Sequence, residues 1–168
     1  MKRALQIVLF LTFTTHLYGC GYSLVAKNSA IPRGQTVDVR MFANRTFQPN
    51  VEGEFRRALV SELVSRGYVA GDDTSDYLIS GEIASLSIDT AAFSAIDRAM
   101  VYRVAVEIQM QLSERKSGKV VWKGAESVKQ DYPATADLAL QRNAREAAVT
   151  SICAKAAQLL ATRMNQAF

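Results

Sequence analysis

The chain has 168 residues, 49% of them hydrophobic and 21% charged, which suffices for one domain with a real core and is too short to expect two. Its 20 basic and 16 acidic side chains give a net charge of +4 without any long basic run, a pattern that excludes a typical nucleic-acid binder. Two cysteines, Cys20 and Cys153, and one histidine, His16, leave little room for a disulfide scaffold or for imidazole chemistry.

The first 22 residues carry an address. Lys2 and Arg3 precede an apolar run from Ala4 to Phe13, and Leu17-Tyr18-Gly19-Cys20 closes it. A membrane helix needs about 20 apolar residues, so this shorter run reads as a signal peptide. Gly19-Cys20 with Leu17 three positions before the cysteine resembles the bacterial lipobox. That resemblance implies cleavage after Gly19, a thioether-linked lipid on Cys20 and acylation of its new amino group. The expected organisation is a cleaved signal over residues 1–19 and a single domain over residues 20–168. Loss of Lys2 and Arg3 leaves 18 basic against 16 acidic side chains, a net charge of +2, and His16 is lost as well. Two or more acyl chains give stable anchoring where one is marginal. Gly21 stands where enteric bacteria use Asp to retain a lipoprotein in the inner membrane, which implies the outer membrane here.

Gly21 to Leu24 is a short extended piece, and Ile31-Pro32-Arg33-Gly34 signals a turn. Thr36 to Phe42 alternates apolar and polar residues and predicts a first strand, followed by a polar loop over 43–50. Val51, Phe55, Leu59 and Leu63 then recur at helical spacing, with Glu52 and Glu54 in the first turn and Gly67 as the stop. Tyr77 to Ile88 predicts a strand interrupted near Gly81, and 89–98 reads as a connection. From Tyr102 to Leu112 six apolar residues sit at strict period two, which predicts an antiparallel strand with one wet face. A charged turn with Gly118 leads to a partner strand, Val120 to Val128, broken at Asp131-Tyr132-Pro133. An Ala-rich helix is expected from Asp137 to about Arg163, its stripe formed by Leu140, Ala144, Ala147, Ala148, Ser151, Ile152, Ala156, Leu159 and Leu160. The order β-α-β-β-β-α predicts an α+β fold: a two-layer sandwich with two helices on one face of a mainly antiparallel four-stranded sheet.

Without histidine in the mature chain, serine–histidine and cysteine–histidine mechanisms and histidine metal sites are excluded. No phosphate-binding or dinucleotide-binding glycine motif occurs, so no enzyme, cofactor or metal is expected. Asp72-Asp73 with Asp76 resembles half of a calcium loop but lacks its Gly and its bidentate Glu, and reads as a solvated turn. Cys153, in Thr150-Ser151-Ile152-Cys153-Ala154, fits a buried helix position better than a reactive one. The cations Arg98, Arg103, Lys123 and Lys129 lie on or beside strands, and Arg142 and Arg145 open the last helix. Gathered, some of them would suit an anionic phosphate.

A family resemblance emerges from ordered pieces: Cys20-Gly21-Tyr22-Ser23-Leu24, Val39 to Thr46 with Pro49, Asp76 to Ile83, Tyr102-Arg103-Val104 and Ser117 to Trp122. Together they resemble the lipopolysaccharide-assembly lipoproteins of the LptE family. The resemblance implies a non-enzymatic lipoprotein on the inner leaflet of the outer membrane. It would plug a large β-barrel lipopolysaccharide translocon one to one, help it fold and assist lipopolysaccharide delivery. It also implies lipopolysaccharide contacts at Arg98 and Arg142, with Lys129 as a third cation. The second resemblance, through Asp76 to Gly81, is to lipoprotein activators of peptidoglycan synthases. Those carry a long linker after the lipid, whereas only about a dozen residues separate Cys20 from Pro32 here.

Overall fold

The computed structural model describes residues 31–32, 34–93, 95 and 99–167. The signal segment, Cys20, the Gly21–Leu24 piece and Arg98 lie outside the described residues. Eight elements follow one another: β1 (Thr36–Val39), β2 (Ala43–Asn44), α1 (Val51–Ser65), β3 (Val69–Ala70), β4 (Tyr77–Phe93), β5 (Ala99–Glu114), β6 (Val120–Pro133) and α2 (Leu138–Gln166). Six strands form one mixed sheet in the order β3-β1-β4-β5-β6, with β2 also paired to β4. The α+β class and the two helices agree with the sequence reading, but the mainly antiparallel four-stranded sheet is corrected to six strands with parallel pairings beside the antiparallel β4-β5-β6 part. β1 runs parallel to both β3 and β4, and β2 parallel to β4. The reason is the connection: a chain that leaves a strand through a helix returns in the same direction.

α1 buries Val51, Phe55, Leu59 and Leu63, the stripe that its spacing predicts. Gly67, at φ 86°, ends it in a conformation that side-chain-bearing residues rarely adopt. α2 packs on α1 and across β5 and β6. Its buried residues are Ala148, Val149, Ile152, Cys153, Ala156, Ala157, Leu160, Ala161 and Met164. The expected stripe is therefore rotated: Leu140, Ala147, Ser151 and Leu159 are exposed, and Val149, Cys153 and Ala157 take their place. In an alanine-rich helix small residues sit on every side, so they leave the phase to the few larger ones.

β4 continues to Phe93 without a break at Gly81, which stays in the ladder opposite Met110. A Cβ at Gly81 would stand 2.0 Å from the Gln109 carbonyl oxygen and 2.7 Å from the Phe42 ring, so only glycine fits. The irregularity comes later, between Ile83 and Ser85. That extra residue switches the inward set from Ile79 and Ile83 to Leu86 and Ile88. β6 likewise runs through Asp131 and Tyr132 to Pro133, where proline is tolerated because β6 is the edge strand. The hairpin from β5 to β6 turns on Gly118, at φ 68°.

Candidate partner-binding surface

The helices cover one face of the sheet and leave the other open. On β5, Val104, Val106, Ile108, Met110 and Leu112 are buried, while Arg103, Glu107 and Gln109 between them are exposed. The strand register then assigns the open face across three strands. Gln111 lies between Ser80 and Lys123, Glu107 between Ser85 and Ser127, and Ala105 between Ser87 and Lys129. Small side chains alternate with long polar ones. A shallow depression crosses the middle, lined by the backbone of Gly81 and Gly124 and by Glu82, Gln109, Gln111 and Lys123. At Gly124 a Cβ would stand 2.4 Å from the Trp122 ring, which packs against the core from the other face.

Charges at the two ends of this face are tied down. Arg103 donates to both Asp131 carboxylate oxygens, at 2.7 and 2.8 Å, and this forked bond holds the Asp131 carboxyl below its ordinary range. At the other end Arg115 donates to Asp38 Oδ2 and to the Ser75 carbonyl, each at 2.8 Å. The Asp38 side chain is only 10% exposed, so this pair closes the junction of β1, β5 and the 71–76 loop. On the covered face Glu126 projects beneath α2 and meets Arg163 at 2.5 Å, with its side chain 8% exposed. Sequence reasoning missed Arg115 and Arg163. Each is one charged residue in a charged turn or helix end, and its partner is far away in the chain.

The five described cations of interest, which exclude Arg98, are dispersed. Lys129 is exposed on the open face, and Arg142 is exposed on the early turns of α2, which covers the opposite face. Arg103 is held by Asp131, and Arg145 donates to Gln48 Oε1 at 2.7 Å. Lys123 lines the central depression. Among the described residues no ion pair engages Lys129 or Arg142. The acidic loop is built as a turn: Asp72 Oδ1 accepts from the Thr74 amide and hydroxyl, which lowers the Asp72 carboxyl, and Asp76 Oδ2 accepts from Thr36. Cys153 is fully buried, and burial first, then the charge of Glu54, pushes its thiol up to about 12.

Comparison with solved structures agrees on the fold. The rare lipoprotein B of Shewanella oneidensis superposes with a TM-score of 0.57 at 15% identity, covering 79% of this chain and 95% of that one. A minor lipoprotein of Acinetobacter baumannii gives 0.54 at 10% identity, over 79% of this chain and 92% of its own. A lipoprotein of Caulobacter crescentus gives 0.52 at 18% identity, over 75% and 89%. No curated protein matches the chain. The sequence model of the LptE family, described as lipopolysaccharide-assembly, matches residues 34–164, and this span holds both helices' buried stripes and the whole open sheet face. The chain thus belongs to the LptE family of lipopolysaccharide-assembly lipoproteins.

Proposed function

We propose that the protein is a non-catalytic outer-membrane lipoprotein that plugs a lipopolysaccharide-translocating β-barrel, assists its assembly and helps deliver lipopolysaccharide to the cell surface. The observation that carries this reading is the family match over residues 34–164. The open face supports it. A six-stranded sheet with one polar, small-residue face offers a broad surface that suits the polar lumen of a barrel.

In this reading residues 1–19 are removed and residues 20–168 form one domain tethered by acyl chains on Cys20. Among the described residues no helix is long and apolar enough to cross a membrane, and the membrane link is the lipid. Ten residues separate Cys20 from Ile31, a reach of roughly 33 Å when extended. So short a tether keeps the domain at high effective concentration beside a barrel in the same leaflet. Arg142 and Lys129, with Arg98, meet lipopolysaccharide phosphates. Because Arg142 and Lys129 stand on different layers, they act as separate contacts rather than as one clamp.

The test is affinity purification of the full-length lipoprotein from detergent-solubilised membranes of its host, followed by mass spectrometry. A stoichiometric outer-membrane β-barrel whose gel mobility changes on heating is the expected result. Recovery of a peptidoglycan synthase, or of the lipoprotein alone, would overturn the reading.

A further inference from the structure

Two phenylalanines five residues apart have opposite fates. Phe42 is buried and packs edge-on against Phe55, with ring centroids 4.8 Å apart. Phe47, at the apex of the loop joining β2 to α1, is 106% exposed, the most exposed of the large apolar side chains described. A flexible loop would explain such a ring, but this loop is braced from within. Asn44 Nδ2 donates to the Gln48 carbonyl at 2.9 Å and to Glu52 Oε2 at 2.8 Å. Asn44 Oδ1 accepts from the Thr46 amide and hydroxyl, at 2.9 and 2.8 Å, and Thr46 Oγ1 accepts from the Gln48 amide at 3.1 Å. Three external ties complete the brace: the Arg45 amide to the Ile83 carbonyl at 3.0 Å, Arg45 to Glu82 at 3.2 Å, and Arg145 to Gln48 Oε1 at 2.7 Å.

We infer that this loop is a preformed docking knob whose apex, Phe47, seats in an apolar socket of the partner barrel, an inference that rests on the plug reading above. A rigid loop gives up little conformational freedom on binding. The side chains of Asn44, Arg45, Thr46 and Gln48 are already paired inside the chain, so covering them strands few donors or acceptors. A large aromatic presented under those two conditions has the character of the central anchor of an interface. The collar around the ring decides the class of partner. A lipid-surface anchor combines several apolar side chains with free cations. Here Phe47 is the one large apolar side chain of the 43–50 loop, and Arg45 and Arg145 are engaged by Glu82 and Gln48. A collar whose cations are already engaged within the chain, Arg45 by a carboxylate and Arg145 by an amide oxygen, fits a protein socket. Glu82 lies on the open sheet face, so the knob is continuous with the surface assigned to the barrel.

The experiment places p-benzoylphenylalanine at position 47 of the full-length lipoprotein in living cells, and in parallel compares barrel recovery with wild type and Phe47→Ala. Irradiation is expected to join position 47 to the barrel protein. Phe47→Ala is expected to lower barrel recovery by at least about ten-fold at equal lipoprotein level, with an unchanged melting temperature. Cross-linking to lipopolysaccharide, to phospholipid or to a second copy would overturn the inference. So would equal barrel recovery with Phe47→Ala, or a lowered melting temperature, which would make the ring structural. If wild type itself recovers no barrel, the plug reading fails first; if wild type recovers it and Phe47→Ala does so equally, only the knob fails.

Discussion

On β5 alternate residues live in two different media. Val104, Val106, Ile108, Met110 and Leu112 are sealed under the helices, whereas Arg103, Glu107 and Gln109 meet solvent on the open face. The sealed face derives its stability from apolar area removed from water, which is non-directional and large in sum. The open face is organised by pairs, Arg103 with Asp131 and Arg115 with Asp38, and by small residues between them. The first face holds the domain together. Between its end pairs the second is free to be specific, because changing its exposed positions leaves the core intact.

Substitutions can sharpen or break this contrast. Ile108→Ala removes a fully buried side chain opposite Ile83 and is expected to cost about 2–5 kcal/mol in urea unfolding. Its neighbour Gln109→Ala should stay within about 0.5 kcal/mol. Similar losses at both positions would mean that the open face is structural too. Arg115→Ala comes next, at about 2 kcal/mol. Its loss strands the carboxylate of Asp38, but the arginine is 25% exposed, so the effect falls below that of a wholly buried pair. The double variant with Asp38→Asn should recover part of that loss in the same assay.

Asp137→Ala tests the covering layer at its start. Asp137 accepts from the Ala139 and Leu140 amides, and losing this cap should cost about 1 kcal/mol in the same unfolding measurement. The smallest effect is expected on the open face, from Asp131→Asn. The Asp131 carboxyl lies below its ordinary range when folded, so its contribution is present at neutral pH and disappears as the pH falls through that lowered value. Melting curves of wild type and variant should therefore differ slightly at neutral pH and coincide in strong acid.

The sequence makes the strongest periodicities readable. The β5 alternation and the Val51-Phe55-Leu59-Leu63 stripe each predict the buried face that is found. Strand direction is not readable in the same way, because alternation is identical for parallel and antiparallel neighbours; the pattern therefore leaves open that β1 pairs parallel to β4. β3 is two residues long and leaves no pattern at all. The phase change after Ile83 hides how far β4 extends, and alanine on all sides of α2 hides its true inner stripe. The open face itself is legible as the polar positions of β5. Its end pairs are not, since Arg115 and Asp38 lie 77 positions apart. The same holds for Phe47: its brace from Arg145 joins residues 97 positions apart through Gln48.

In the proposed complex the open sheet face is turned toward the barrel. The most direct test is a thiol placed at Ser127, an exposed position on that face opposite Glu107. Cys153 adds no background, because burial withdraws it and pushes its thiol up to about 12. Ser127→Cys would be labelled with a charged maleimide in the isolated lipoprotein and again in the detergent-solubilised membrane complex. Rapid labelling is expected in isolation, and labelling at least about ten-fold slower in the complex. Equal rates in both would mean that this face stays open to solvent and is not turned toward the barrel.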